Sequence, residues 1–257
     1  MSFVGSPFGF TRVGRRIAAG IVLTIALTCV SACSETGPHA VTDAEADRLA
    51  EALFANWDAG GLTFELNAAP APGETVRVQG KVDFTDQVGY GLVTAVGEDS
   101  PVAGVIFTPT TILESIPTLV DASASFGGPA FTWVGRPMDT SAYQLDGLLG
   151  VVFGLATQQR DNPELISQSG AKWLRHDNLR GTPVDVFEYS PKSRFWIEQG
   201  GTRLLRFEGN NDTLTRPIVI DVTELGKVTV PPFDDADVVT PQALNGLYDA
   251  YRRAQRP

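Results

Sequence analysis

The chain has 257 residues, with 20 basic and 30 acidic side chains and a formal net charge of −10. A chain of this length can bury a substantial core, and its acidic balance makes nucleic acid and anionic membrane surfaces poor partners. Its two cysteines, Cys29 and Cys33, both lie near the N-terminus. Cysteine catalysis, disulfides and cysteine-ligated metals are therefore excluded from the rest of the chain.

Residues 1–32 have the pattern of a secretory signal. Three arginines (Arg12, Arg15 and Arg16) precede a 14-residue apolar run from Ile17 to Val30, and small residues follow it. The run is short of the ~20 residues that a membrane-spanning helix needs, so we predict a cleaved signal peptide. The residues flanking Arg15 and Arg16 lack the twin-arginine pattern, which favours the general secretory route.

The signal ends in Val30-Ser31-Ala32-Cys33, which looks like a bacterial lipobox. We therefore predict that Cys33 is the first mature residue and carries a diacylglycerol on its Sγ atom. Acyl chains anchor a protein through ~0.8 kcal/mol per buried methylene. The expected location is the extracytoplasmic face of the cell membrane, reached through this lipid anchor, with residues 33–41 as a polar tether.

A helix and a meander of strands are predicted between Thr42 and Thr108. Thr42 and Glu45 form a capping box, and apolar residues at helical spacing extend the helix to Asp58. From Leu62 onward apolar and polar residues alternate, which predicts strands. The expected strands cover 62–66, 76–84, 88–96 and 102–108.

Residues 109–170 have a helical pattern. The apolar spacing predicts a short helix over 112–120, broken by Pro117, and a second helix from Tyr143 to Arg160. The stretch from Leu145 to Leu155 is apolar on more than one face, as in a helix that is buried between layers or lines a cavity.

Strands return in the last third of the chain. The expected strands cover 171–176, 183–189, 194–199, 203–208 and 217–222, with Gly200-Gly201 as a hairpin signal. Thr240-Pro241 begins a predicted helical tail over 241–257. The domain between tether and tail then covers 42–240.

The sequence contains no recognisable catalytic or metal-binding constellation. We expect His39, in the tether, and His176, at a strand end, to be solvated or singly bonded. The acidic residues Asp234, Asp235 and Asp237 lack the spacing of a calcium loop and are predicted to form a solvated turn. We therefore expect no enzymatic activity, no cofactor and no metal.

Four segments resemble the LppX/LprG lipoproteins of mycobacteria and their relatives, which have a LolA/LolB-like fold. The residues that carry the resemblance are 76–82 (VRVQGKV), 168–174 (QSGAKWL), 181–187 (GTPVDVF) and 194–198 (RFWIE) leading to 203–207 (RLLRF). The resemblance implies an α+β fold in which a curved antiparallel half-barrel holds helices on its concave face. It also implies an apolar cavity that carries or presents lipids or acylated glycolipids in the cell envelope, with an envelope transporter as a further candidate partner.

The expected cavity lies between the sheet and the second helix. Its predicted lining residues are Phe64, Leu66, Val76, Val78, Val82, Phe84, Tyr90 and Leu92 from the sheet, and Leu148, Val151, Val152 and Leu155 from the helix. The residues alone also allow the two layers to close on each other. In that case the chain would be an anchored interaction, sensor or scaffold module without a lipid cargo.

Overall fold

The computed structural model describes residues 37–69, 75–95, 97–125, 128, 130–210 and 216–254, without the side chains at 247, 248 and 250–254. The predicted signal peptide and Cys33 lie outside these residues. In chain order the elements are β1 (His39–Ala40), α1 (Asp43–Asp58), β2 (Gly61–Ala68), β3 (Val76–Asp83), β4 (Val88–Thr94), β5 (Ala103–Phe107), β6 (Thr111–Ser115), α2 (Pro117–Ser125), β7 (Trp133–Pro137), α3 (Gln144–Phe153), α4 (Pro163–Gln168), β8 (Lys172–Leu179), β9 (Thr182–Ser190), β10 (Ser193–Glu198), β11 (Leu204–Gly209), β12 (Ile218–Leu225), β13 (Val238–Val239) and α5 (Pro241–Ala254).

The strands form one curved, unclosed sheet, as expected for an α+β fold. Its order is β1-β8-β9-β10-β11-β12-β2-β3-β4-β5-β6-β7-β13. Neighbouring strands are antiparallel except β7 and β13, which run parallel. The predicted sheet is wholly antiparallel, so the pairing at this edge corrects it.

Helix α1 begins at the predicted capping box. The Thr42 side chain accepts a hydrogen bond from the Glu45 amide, and the Glu45 carboxylate accepts one from the Thr42 amide. Two donors of the first turn are thereby satisfied. Leu49, Ala50 and Ala52 are buried in the hydrophobic core.

The predicted helix over 112–120 is wrong before Pro117, whereas residues 117–120 are helical. Residues Thr111–Ser115 form β6, in which Ile112 pairs with Phe107 of β5. Proline lacks the amide hydrogen that a helix interior needs but is tolerated in the first turn, and Pro117 accordingly begins α2. Strand β7, which is absent from the predicted elements, pairs with β6.

The second predicted helix ends earlier than Arg160. Helix α3 stops at Phe153, with Gly154 as its C-cap. The following segment runs beside α1, where the Thr157 amide donates to the Leu53 carbonyl at 3.2 Å. Helix α4 then begins behind the N-cap Asn162, whose side chain accepts from the Glu164 amide.

The end of the predicted tether belongs to the folded body. His39–Ala40 forms β1, which adds a strand to the outer edge of β8. Val41 is buried, and its amide donates to the Ala171 carbonyl at 3.2 Å. The expected tether therefore stops before His39.

The larger of two buried hydrophobic clusters in the described residues lies between α1, α3, α4 and one face of the sheet, which we call the inner face. In the centre of the sheet the inner face carries Leu62, Phe64 and Leu66 of β2, paired with Val82, Gly80 and Val78 of β3. The other side is called the outer face.

Candidate binding pocket

The helix and sheet residues predicted to line a cavity fill a close-packed core. Eight of the twelve have between 0 and 4 % of their surface exposed: Phe64, Leu66, Val78, Val82, Phe84, Leu148, Val152 and Leu155. Val76 and Val151 are partly buried against the same cluster. Side chains that lined an open space of several hundred Å³ would expose more surface to it, so these residues form a closed interface.

Tyr90 and Leu92 lie on the outer face, which corrects their predicted inward orientation. They pair with Lys81 and Gln79 of β3, whose neighbours Val78 and Val82 face inward. The inward positions of β4 include Gly89 and Gly91, and Leu92 keeps 38 % of its surface exposed. The Phe107 ring occupies the space where a Cβ at Gly89 would stand. Neighbouring side chains thus fill the inner face over these two glycines.

A pocket of about 520 Å³ opens on the outer face near the β7 edge, and we call it the outer pocket. Its volume falls in the range typical of small-molecule sites. Its lining residues are Ile106, Thr108, Thr110, Thr111, Leu113, Gly135, Arg136, Pro137, Phe233, Asp235 and Val238. The floor is apolar, because Ile106 and Leu113 pair across β5 and β6 on the outer face.

The chain segment before β13 supplies the opposite wall of the pocket. This segment brings Phe233, which is 43 % exposed, to the pocket, and Val238 of β13 itself lies against β7. Gly135 permits this approach, because a Cβ there would lie 2.7 Å from Val238 Cγ1 and 3.0 Å from Leu113 Cδ2. Distances this short between carbon atoms are repulsive, so the glycine fixes how closely β13 packs on the pocket floor.

Threonines of the β5–β6 turn form the polar rim. Thr108 Oγ1 accepts hydrogen bonds from the amides of Thr110 at 3.3 Å and Thr111 at 3.0 Å. This turn holds the three threonines in place next to the apolar floor. An apolar floor with few placed polar groups suits a ligand that has both an apolar and a polar part.

An ion-pair network on the inner face fixes the strands behind the outer pocket. Arg136 of β7 donates to both oxygens of Asp146 in α3, at 2.7 and 2.8 Å, and to Glu114 of β6 at 2.6 Å. The hydrogen bond to Asp146 is the main reason that the pKa of Arg136 lies above its ordinary range. The Asp146 side chain is fully buried, so the network joins α3 firmly to β6 and β7.

A second polar cluster surrounds Asp185 in β9. Its carboxylate accepts from Arg48 at 2.6 Å and from the Trp173 indole at 3.1 Å, and lies 2.6 Å from His176 Nδ1. Burial alone would raise the pKa of Asp185, but the hydrogen bonds from Arg48 and Trp173 outweigh it and hold that pKa below its ordinary value. Arg48 also donates to the Gly201 and Glu198 carbonyls. It therefore joins α1 to the β10–β11 turn.

The two histidines have more partners than the sequence indicated. His176 is 66 % exposed, and its Nδ1 atom lies near both Asp185 and Gln199. His39 stacks on Trp173 at 4.9 Å between ring centroids and lies 3.2 Å from Glu45. Within the described ranges no group of three or more His, Cys, Asp or Glu side chains is arranged to hold a metal ion.

Sequence reasoning missed the charged residues that organise both clusters. Asp146 interrupts the apolar stretch Leu145 to Leu155, and a lone acid there could have indicated a buried ion pair. No local pattern in the sequence identifies its partner Arg136. The same holds for the pair of Arg48 and Asp185, because these contacts depend on the tertiary fold. None of the helices in the described part of the chain has the length and hydropathy needed to span a bilayer.

Comparison with known proteins gives only weak likenesses. No family model matches the chain, and no curated protein matches it in sequence. Among solved structures, an uncharacterized conserved protein from Thermus thermophilus is 11 % identical with a TM-score of 0.39, covering 76 % of this chain and 95 % of its own.

Further similar structures contain MucB. The Pseudomonas aeruginosa MucA/MucB complex is 12 % identical with a TM-score of 0.32, covering 74 % of this chain and 58 % of its own. MucB alone is 13 % identical with a TM-score of 0.34, covering 74 % of this chain. This chain spans 59 % of that MucB chain.

Proposed function

We propose that this chain is a lipid-anchored binding protein of the cell envelope that holds the apolar part of an amphiphilic ligand in the outer pocket. The observation that carries the proposal is the pocket itself, with its apolar floor of Ile106 and Leu113 and its threonine rim. Its volume of about 520 Å³ is large enough for part of a lipid. The ligand class is a lipid or an acylated glycolipid.

The lipobox and the four segments similar to LppX/LprG lipoproteins support the same function. We propose membership of that group, with the helix-covered inner face as the concave side of the sheet. Because the residues between α3 and the sheet are buried, we place the ligand site on the outer face instead. Binding on the outer face leaves that core intact while ligand enters and leaves.

The proposed role is binding without catalysis. The exposed imidazole of His176 has Asp185 and Gln199 as its hydrogen-bond neighbours in the described structure. A nucleophile activated by histidine needs to lie within hydrogen-bond reach of that ring. Asp185 itself is already engaged by Arg48 and Trp173, which suits a structural role.

Titration with a fluorescent fatty acid tests the proposed site. Thr111 is exposed on the pocket rim, so Thr111→Trp should fill the outer pocket and weaken binding of an anthroyloxy-labelled stearic acid at least about tenfold. The matched control is Thr85→Trp, an exposed threonine between β3 and β4 that lines neither the outer pocket nor the groove around Tyr90. Equal affinity for both variants and the wild type would contradict the assignment.

Detergent phase partitioning tests the proposed anchor separately. Cys33→Ser removes the thiol that would receive the diacylglycerol, so the variant should remain unprocessed or partition into the aqueous phase. A Cys33→Ser protein that still behaves as a processed lipoprotein would exclude acylation at this residue.

A second candidate function is protein binding without a lipid cargo. The outer face also carries a groove of about 310 Å³ with Tyr90 and the exposed Leu92 among its lining residues. Exposed apolar side chains between polar neighbours are common at protein interfaces. Absence of saturable lipid binding to the wild type would favour this function.

A further inference from the structure

Both histidines of the chain contact the same tryptophan at the junction of β1 and β8. His39 stacks on Trp173 with an interplanar angle of 23°, and His176 meets it edge-on at 4.8 Å between centroids. Histidine is the side chain whose charge changes most readily near neutral pH. The first described strand after the predicted anchor therefore docks beside two imidazole rings.

Both ring nitrogens of His39 lie within hydrogen-bond distance of an acceptor. Nδ1 lies 3.2 Å from the Gly37 carbonyl, and Nε2 lies 3.2 and 3.3 Å from the two carboxylate oxygens of Glu45. A carbonyl and an ionised carboxylate accept hydrogen bonds only. Neutral imidazole has one N–H and can serve one of these partners, whereas imidazolium serves both.

The charges around the junction also favour a protonated His39. Among the described charged groups, Glu45 of α1 contacts His39, and Arg48 of α1, Lys172 and His176 of β8, and Asp185 and Glu188 of β9 lie on the neighbouring elements. Arg48 pairs with Asp185 and Lys172 with Glu188. When both histidines are neutral, Glu45 is the carboxylate of this set that has no cationic partner.

We propose that His39, Glu45 and Trp173 form an acid-strengthened clasp that docks β1 on the body. Protonated His39 donates to both acceptors, forms an ion pair with Glu45 and places a cation on the indole face. The His39 and Glu45 side chains are 23 % and 18 % exposed, so solvent screens their interaction only partly. The clasp is complete below the titration midpoint of an unfolded histidine, about pH 6.5, and weakens as pH rises through the higher midpoint of docked His39.

The clasp would set how far the body stands from the membrane, a consequence that rests on the proposed acylation of Cys33. With β1 docked, five residues separate Cys33 from His39, and the six Cα–Cα steps between them span at most about 20 Å. With β1 released, the free segment extends to Asp43 and spans at most about 35 Å. Acid would thereby hold the body closer to the bilayer.

Histidine NMR and amide exchange test the clasp on the full chain in detergent. The chain contributes two imidazole signals, and His176→Gln assigns them by removing one. We expect His39 to titrate with a midpoint above ~6.5. The Val41 amide, which bonds to Ala171, should be better protected from exchange at about pH 5 than at about pH 8. The ratio of the two protection factors should be about tenfold for each pH unit by which the His39 midpoint exceeds ~6.5.

Two controls separate the clasp from general effects of pH. Glu45→Gln keeps a capping-box side chain but removes the charge, so the His39 midpoint and the pH dependence at Val41 should both fall. The Gly226 amide, which bonds to the Gly61 carbonyl far from β1 in the sheet order, should show no such step. A His39 midpoint at or below ~6.5, or Val41 protection that does not change as His39 titrates, would overturn the proposal. Neither result would bear on acylation, which phase partitioning measures independently.

Discussion

The two faces of the central strands differ in how completely they are covered. On the inner face, Phe64 and Val82 have no more than 1 % of their surface exposed under α1 and α3. On the outer face, Leu92 of the adjacent strand is 38 % exposed, and a pocket of about 520 Å³ remains open. Alternation along a strand makes this division possible, because successive side chains point to opposite faces. We therefore assign stability to the inner side of these strands and binding to their outer side.

The inner face should have the larger effect on stability when a side chain is truncated. Phe64→Ala removes a fully buried ring from the core, and we expect it to lower the free energy of unfolding by ~3–5 kcal/mol. The matched change on the outer face is Leu92→Ala, for which we expect a change within about 0.5 kcal/mol. Urea unfolding of both variants measures the difference. Similar losses for the two would mean that the faces do not differ as described.

Enlarging a core residue distinguishes a closed interface from an open cavity. Val152 of α3 has no exposed surface, so Val152→Trp should cost ~1–3 kcal/mol or more through overpacking. Binding of a fluorescent fatty acid to the folded variant should be unchanged. A variant as stable as the wild type with reduced binding would instead place the ligand between α3 and the sheet.

The ion pair of Asp185 should make stability depend on pH in acid. Because the folded-state pKa of Asp185 is lowered, its contribution is present above the unfolded value of ~3.9 and is lost as pH falls through the folded value. Asp185→Asn should cost ~1.5–3 kcal/mol at neutral pH, and the difference from the wild type should shrink in acid. Urea unfolding between about pH 7 and about pH 3 measures this.

The control for this substitution is Asp47→Asn, which removes an exposed partner of Arg160. Exposed pairs contribute ~0–1 kcal/mol, so the control should change little across the same range. A constant gap between Asp185→Asn and the wild type down to the lowest pH would contradict the proposed linkage.

The smallest expected effect concerns the wall of the outer pocket. Gly135→Ala places a methyl group 2.7 Å from Val238 Cγ1, so β13 must shift outward. Gly104→Ala is the matched control, because the nearest atoms to its added Cβ are 3.9 Å away. We expect Gly135→Ala to cost about 1 kcal/mol and to weaken fatty-acid binding, and Gly104→Ala to do neither. Equal binding by the two variants would show that Gly135 does not shape the site.

Local signals in the sequence predict most of the elements. The capping box of Thr42 and Glu45 predicts where α1 begins, and alternation predicts β3, because both depend on residues close together in the chain. The failed predictions have other causes. The pattern around Pro117 indicates a helix break, whereas this proline starts a helix. The two-residue β1 is not predicted because it is stabilised by pairing with β8, which is far away in the chain.

The candidate site is harder to predict than the fold. Tyr90 and Leu92 are the large apolar residues of β4, so a pattern that places large apolar residues inward assigns them to the wrong face. Their true orientation depends on the Phe107 ring, which lies over Gly89. The outer pocket likewise depends on the packing of Val238 against Gly135, a contact between residues about one hundred positions apart that no local pattern encodes.

Photolabelling tests the central claim most directly, because it reports where the ligand lies. A fatty acid with a terminal diazirine would be bound to the full chain, irradiated, and its adducts located by mass spectrometry. The account predicts adducts on Ile106, Leu113, Phe233 or Val238, reduced in the Thr111→Trp variant. Adducts on Leu148 or Val152 of α3 would contradict it, because they would place the ligand between α3 and the sheet, among buried residues.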